Sequence, residues 1–173
     1  MVALGLLILR VVIGLIMAAH GAQKLFGWWG GPGMEKWTAG MVRMRVRPPV
    51  LWAWVSALGE VLGGLGLAAG LLIPLPNLAI LGTMLVAIAL VHWPKGFWNS
   101  KGGFEFNLST LAATAAIAIA GPGAYSLDAL LRLSLPEPLT LIAGTVLVVA
   151  SVAVAIATRS PQPVAEPKPQ TTG

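Results

Sequence analysis

The chain is 173 residues long, 57% hydrophobic and only 10% charged, which excludes an ordinary soluble domain, where about a quarter of residues are charged. Its formal charge of +5 would suit nucleic acid, but the membrane reading is stronger, since basic residues beside apolar spans set the orientation of membrane proteins. It has no cysteine, so disulfides, thiol redox chemistry at its own residues, thiolate metal sites and cysteine-held iron–sulfur clusters are excluded.

Five apolar segments follow in chain order, to be judged against the roughly 20 residues that cross a bilayer at about 1.5 Å rise each. The first runs from about Val2 to Gly21, with Arg10 as its interruption. No basic residue precedes it and no small-x-small cleavage site follows, so it reads as a membrane helix and not a cleaved leader. The second runs from Val50 to Ile73, contains Glu60 and closes at Pro74. The third runs from about Asn77 to Trp93. The fourth, alanine-rich and the shortest, covers about Phe106 to Ala120 and stops at Gly121-Pro122-Gly123, where proline removes a donor and glycine favours a turn. The fifth runs from about Pro138 to Ala157.

Five such segments need lipid as their solvent, and only helices or closed barrels satisfy the backbone there. Their lengths are helical, whereas barrel strands alternate over about ten residues. The expected fold is therefore an all-α polytopic transmembrane bundle. From Ser160 to Gly173 the chain turns polar and proline-rich, a tail that cannot form a core.

The loops 25–49 and 94–105 and the tail share one side. They collect Lys24, Lys36, Arg43, Arg45, Arg47, Lys95, Lys101, Arg159 and Lys168, against Arg132 on the other. The positive-inside rule makes the basic side cytoplasmic and the N-terminus external. All seven tryptophans and all four phenylalanines also lie on the basic side. A membrane-interface belt explains most of them, but a belt alone would occupy both faces, so Leu25 to Pro49 is expected to fold as a cap. Within it, Val42 to Arg47 alternates apolar and basic residues, a pattern suited to anionic headgroups.

Charge inside a span is costly unless paired or turned to a polar interior. Arg10, His20 and Lys24 fall within an arc of roughly 80° on the first helix. Glu60 lies about 15 Å deep on the second, within about 6 Å of the level of Arg10, which predicts an Arg10–Glu60 ion pair. His92 sits near the depth of His20, and Glu105 precedes the fourth helix. His20, Gln23, Lys24, Glu60, His92 and Glu105 therefore converge in the basic half, predicting a polar cavity able to handle protons. Two histidines whose spacing enforces no common centre do not make a metal or haem site. Gly59, Gly63, Gly66 and Gly70 form a smooth stripe for close helix packing.

These residues carry a pattern that resembles the DoxX family of small prokaryotic membrane proteins. The resemblance begins at Arg10 and Gly14 and continues through His20-Gly21-Ala22-Gln23-Lys24-Leu25-Phe26-Gly27 and Gly30-Gly31-Pro32-Gly33. Glu60 with Gly63-Gly64 follows, then His92 with Gly96-Phe97, then Gly102 to Leu108, then Gly121 to Asp128. It implies a four-helix membrane domain over residues 1–131, to which this chain adds a membrane helix within 132–159 and the tail at 160–173.

The same resemblance implies a location in the inner or plasma membrane of a prokaryote, and a place in a quinone-linked oxidoreductase complex. His20, Glu60 and His92 would be the catalytic candidates around a quinone head, and Arg10, Gln23, Lys24 and Glu105 the binding candidates. No covalently bound cofactor and no metal are expected. Electrons would have to come from other membrane subunits, because the chain has no flavin fingerprint, no thiol and no convincing haem ligation; lipid is a further partner and nucleic acid is not. Two other readings stand beside this one. One is a non-catalytic subunit that anchors a larger membrane complex; the other is a small-molecule transporter, supported mainly by the Arg10–Glu60 pair.

Overall fold

The computed structural model describes Met1–Arg159; the proline-rich tail lies outside the described residues. The protein is all-α. Helix α1 is Val2–Phe26, α2 is Gly33–Arg43, α3 is Pro49–Ala69 and α4 is Pro74–Ala87. Helix α4 continues as a π segment, Ile88–His92, and a 3₁₀ turn, Trp93–Lys95. Then come α5 (Glu105–Ala120), the short α6 (Leu127–Leu131) and α7 (Glu137–Ala157).

Four helical stretches are long and apolar enough to cross a membrane: Val2–Phe26, Pro49–Ala69, Pro74–Lys95 and Pro138–Ala157. Helix α5, at 16 residues, spans only about 24 Å. The protein is a multi-pass membrane protein.

The ends follow local chemistry. Helix α1 runs five residues past the expected Gly21 and stops where Gly27 takes φ 72° and its amide donates to the Gln23 carbonyl at 3.1 Å, a left-handed cap that glycine adopts without steric cost. Pro49 and Pro74 each open a helix, where a missing N–H is no loss.

Helices α1 and α3 are antiparallel and almost in backbone contact. A methyl group on Gly14 would sit 2.5 Å from the Gly64 carbonyl oxygen, and one on Gly21 would sit 2.6 Å from the Val61 amide nitrogen. The glycine stripe of α3 packs on α4: Gly59, Gly63 and Gly66 meet Thr83, Ala79 and Pro76, and Gly70 caps the helix, while Gly64, on the adjoining face, meets α1. Met17, Leu67, Ile80 and Ile117, one from each of α1, α3, α4 and α5, are buried together in the core.

The loop after α1 folds as the expected cap. Met41 and Val46 pack with Ala53 of α3 and with Trp37, Trp52 and Leu90. The alternating stretch after Val42 is the end of α2 and a tight turn, in which the Val46 amide donates to the Met41 carbonyl. Helix α7 lies parallel to α4, with Gly82 near Val148 and Gly144 near Leu78. Beyond its end, the Arg159 Nε donates to the Met44 carbonyl of the cap at 2.9 Å.

The Arg10–Glu60 pair does not form. Arg10, 1% exposed, donates to the carbonyls of Pro122, Tyr125 (2.5 Å) and Ala68 (3.4 Å). Asp128 completes the knot, accepting from the amides of Leu72 (2.7 Å) and Ile73 (3.1 Å) while its own amide donates to Gly70. Register explains the difference. The expectation aligned the helices at their ends near the membrane surface, but the small residues align them instead. Gly14 faces Gly64 and Ala68, and Gly21 faces Ala57 and Val61. This places Glu60 level with His20, about 15 Å along the axis from Arg10.

Candidate functional site

At the end of the bundle that carries the cap, α1, α2, α3, α4 and α5 enclose a cavity of about 420 Å³. Its most buried charge is Glu60, 2% exposed. One carboxylate oxygen accepts from the Lys24 ammonium at 2.5 Å. The other is buried with no hydrogen-bond partner among the described residues. Lys24 also lies 4.4 Å from the centre of the Trp37 ring, so cation–π attraction and the carboxylate share one ammonium. Trp37 is held by its own Nε1, which donates to Ser56 Oγ at 2.9 Å.

His92 enters from the π segment of α4. A π turn widens the helix locally and re-aims its side chains, a distortion frequent at functional sites. The His92 Nδ1 lies 2.7 Å from the Gly102 carbonyl oxygen. A carbonyl only accepts, so Nδ1 carries the hydrogen and Nε2 is the nitrogen left to exchange a proton. His20 reaches the cavity from α1 with its ring 5.2 Å from that of Phe106. Asn107, 3% exposed, spends its amide nitrogen on the weak acceptor Met84 Sδ at 3.3 Å, while its oxygen is unpaired.

His20, Lys24, Glu60 and His92 thus line one cavity. Glu105 stands beside it, accepting from the Asn99 amide at 3.0 Å and so fixing a loop that contributes Asn99 to the wall. Gln23 is placed in the α1 cap, under Gly31. Arg10 is at the far end. Trp37 and Asn107 were not among the expected site residues. In the sequence Trp37 reads as one of the aromatic belt, whereas Asn107, a polar residue in the first turn of a membrane helix, carries a signal of its own. Among the described residues, no three His, Asp or Glu side chains gather as a metal site.

A second cavity of about 390 Å³ adjoins the first. It is bounded by α3, α4, α7 and the cap, with Trp52, Gly59, Leu90, Leu147 and Val152 in its wall. Met41, Ser56, Thr83 and Val86 belong to the walls of both. One chamber is charged and the other apolar, with small hydroxyl side chains between them.

No curated protein and no solved structure gives a match to this chain. A family model described as DoxX matches residues 5–93, which takes in α1 to α4, the buried Glu60, the Lys24 that pairs with it, and both histidines. On that match the chain belongs to the DoxX family.

Proposed function

We propose that the protein is the quinone-handling membrane subunit of a prokaryotic oxidoreductase complex, with its basic, capped face in the cytoplasm. The observation that carries this reading is Glu60, a carboxylate 2% exposed, with one oxygen paired to Lys24 and the other without a partner among the described residues, in the wall of a cavity of about 420 Å³.

The residues suit a quinone head. Lys24 and Asn107 offer donors to ring carbonyls, the bare Nε2 of His92 can accept from a quinol hydroxyl, Trp37 and Phe106 offer aromatic surface, and the adjoining apolar chamber suits a hydrocarbon tail. A quinone supplies two-electron, two-proton chemistry. This chain's part is to bind and orient the head, to exclude water with the cap, and to move protons through Glu60 and the Nε2 of His92. Electrons come from a partner subunit, since the sequence has no cysteine and no flavin fingerprint.

A second reading, a non-catalytic anchor, is favoured by α7, which leaves Leu139, Ile142, Val146 and Leu147 mostly exposed. The transporter reading loses its main support with the Arg10–Glu60 pair. Substitution Glu60→Gln in assembled membranes tests the proposal. The expected outcome is intact assembly with quinone-linked turnover reduced by about a hundredfold or more, the scale on which acid–base groups act. Lost assembly would favour the anchor, and unchanged turnover would overturn the quinone assignment.

A further inference from the structure

The polar cavity does not account for all the buried polar atoms of the bundle. Asn107, Thr110 and Thr114 of α5 are each 3% exposed, and Asn77 in the first turn of α4 is 5% exposed. Neither side-chain atom of Asn77 has a hydrogen-bond partner among the described residues. Burying an amide with both ends unbonded is strongly unfavourable, and in a bilayer no lipid tail relieves it.

Register brings these four residues into one line. Asn107 against Met84 pins α5 to α4, and Ile117 shares the core with Ile73 and Ile80, so the two helices are antiparallel. Thr114 is as far along α5 from Asn107 as Asn77 is back along α4 from Met84, which puts Thr114 and Asn77 at one level. Residues 107, 110 and 114 share a helix face, with axial steps of about 4.5 and 6 Å.

The hydroxyls fix the polarity of that line. Thr110 Oγ1 donates to the Phe106 carbonyl at 2.9 Å and Thr114 Oγ1 to the Thr110 carbonyl at 3.0 Å. Each therefore spends its hydrogen on its own helix and turns only lone pairs outward. With the oxygens of Asn107 and Asn77, unpaired among the described residues, the seam offers four acceptor oxygens, against the one unpaired donor group of the Asn77 amide. Such a lining favours water molecules that donate, and a protonated water over any anion. Hydrogen-bonded oxygens lie about 2.8 Å apart, so each step has the length of a bridge of one or two waters.

We infer that the seam between α4 and α5 is a hydrated proton path, running from Asn107 at the Glu60 cavity to Asn77 near the opposite end of the bundle. A proton joins the water chain at one end while another leaves at the other; no electron moves and no side chain of the seam changes charge. The path serves Glu60 whatever occupies the cavity, so it stands apart from the quinone assignment.

The absence of cysteine makes the test clean. Single-cysteine variants Thr110→Cys, Thr114→Cys and the control Ile117→Cys, on the same helix and 1% exposed, are exposed to Ag⁺ in membrane vesicles, and the remaining free thiol is counted after denaturation. Thiolate is the form that binds metal and it needs water, so positions 110 and 114 should be blocked about a hundredfold faster than 117. Equal rates at 114 and 117 overturn the proposal. In a second arm, proteoliposomes holding the cysteine-free chain and an internal pH dye should pass protons faster than empty vesicles. Thr114→Val, which keeps the shape but loses the lone pairs, should cut that excess about tenfold. A flux equal to that of empty vesicles overturns the path even where silver enters.

Discussion

The two most deeply buried charged groups among the described residues, Arg10 at 1% and Glu60 at 2% exposure, are treated in opposite ways. Around Arg10 the guanidinium meets three backbone carbonyls, and nearby Asp128 meets two backbone amides. Those partners come from the end of α3, the α3–α4 turn and the loop after α5, so the knot joins segments that no apolar contact would fix in register. Around Glu60 the partner is one side chain, the Lys24 ammonium, and the second oxygen has none among the described residues. A buried charge whose bonds are all made with backbone has a structural role and little capacity for exchange. A buried charge with an open lone pair, beside a cavity, is available to a ligand or a proton.

The largest effect expected from this contrast is at Arg10. Arg10→Met keeps much of the volume but strips three carbonyls of their donor and leaves Asp128 without its nearby cation. Breaking a buried charge network by removing one member costs about 3–5 kcal/mol, enough to unfold a marginally stable bundle. Denaturation in detergent, followed by helical circular dichroism, measures it. A loss below about 1 kcal/mol, the size expected of a single ordinary hydrogen bond, would mean that the knot holds nothing together.

Next comes Asp128→Asn. The carboxylate accepts two amides, from Leu72 and Ile73, one on each oxygen. An asparagine can satisfy one and must turn an NH₂ toward the other, so a loss of about 2 kcal/mol is expected in the same assay. Retained stability would show that the turn between α3 and α4 sets its own shape.

Much of this was legible beforehand because it is set by hydrocarbon thickness and local stops. Five apolar runs gave five helices, with proline and glycine marking their boundaries to within a few residues. The cavity was legible as well, since residues near one end of several spans must meet there. The partner of each charge was not. Registration of α1 on α3 is decided by where Gly14, Gly21 and Gly64 allow the backbones to touch, and glycine positions state that a close contact exists without naming what it meets. The carbonyl partners of Arg10 were hidden for a related reason. Backbone acceptors carry no sequence signature, so an arginine answered by peptide groups looks the same in sequence as one awaiting a carboxylate. Asp128, the last residue of the Gly121 to Asp128 segment, has a role only once the chain after α5 folds back on the end of α3.

Trp37→Phe sharpens the other side of the contrast. It removes the indole N–H that donates to Ser56 and weakens the aromatic face under Lys24. About 1 kcal/mol of stability should go with the hydrogen bond. A larger effect should appear in ligand binding, because both the cap and the ammonium lose a support. Stability and affinity falling by the same factor would mean that α2 is only a lid, with no hand in placing Lys24.

The smallest expected change in stability, and the one that decides most, is at Glu60→Gln. Lys24 is 17% exposed in its side chain and rests on Trp37, so when the carboxylate charge disappears its ammonium keeps a partner and a route to water. Glutamine retains the volume and can still accept at the bonded oxygen. The residue also no longer buries a charge, which offsets part of the lost attraction. Unfolding free energy should therefore stay within about 1 kcal/mol of the unmodified chain, while proton-coupled activity disappears. A loss as large as that of Arg10→Met would erase the distinction between the two ends, making Glu60 a second structural knot and leaving the cavity without its reactive group.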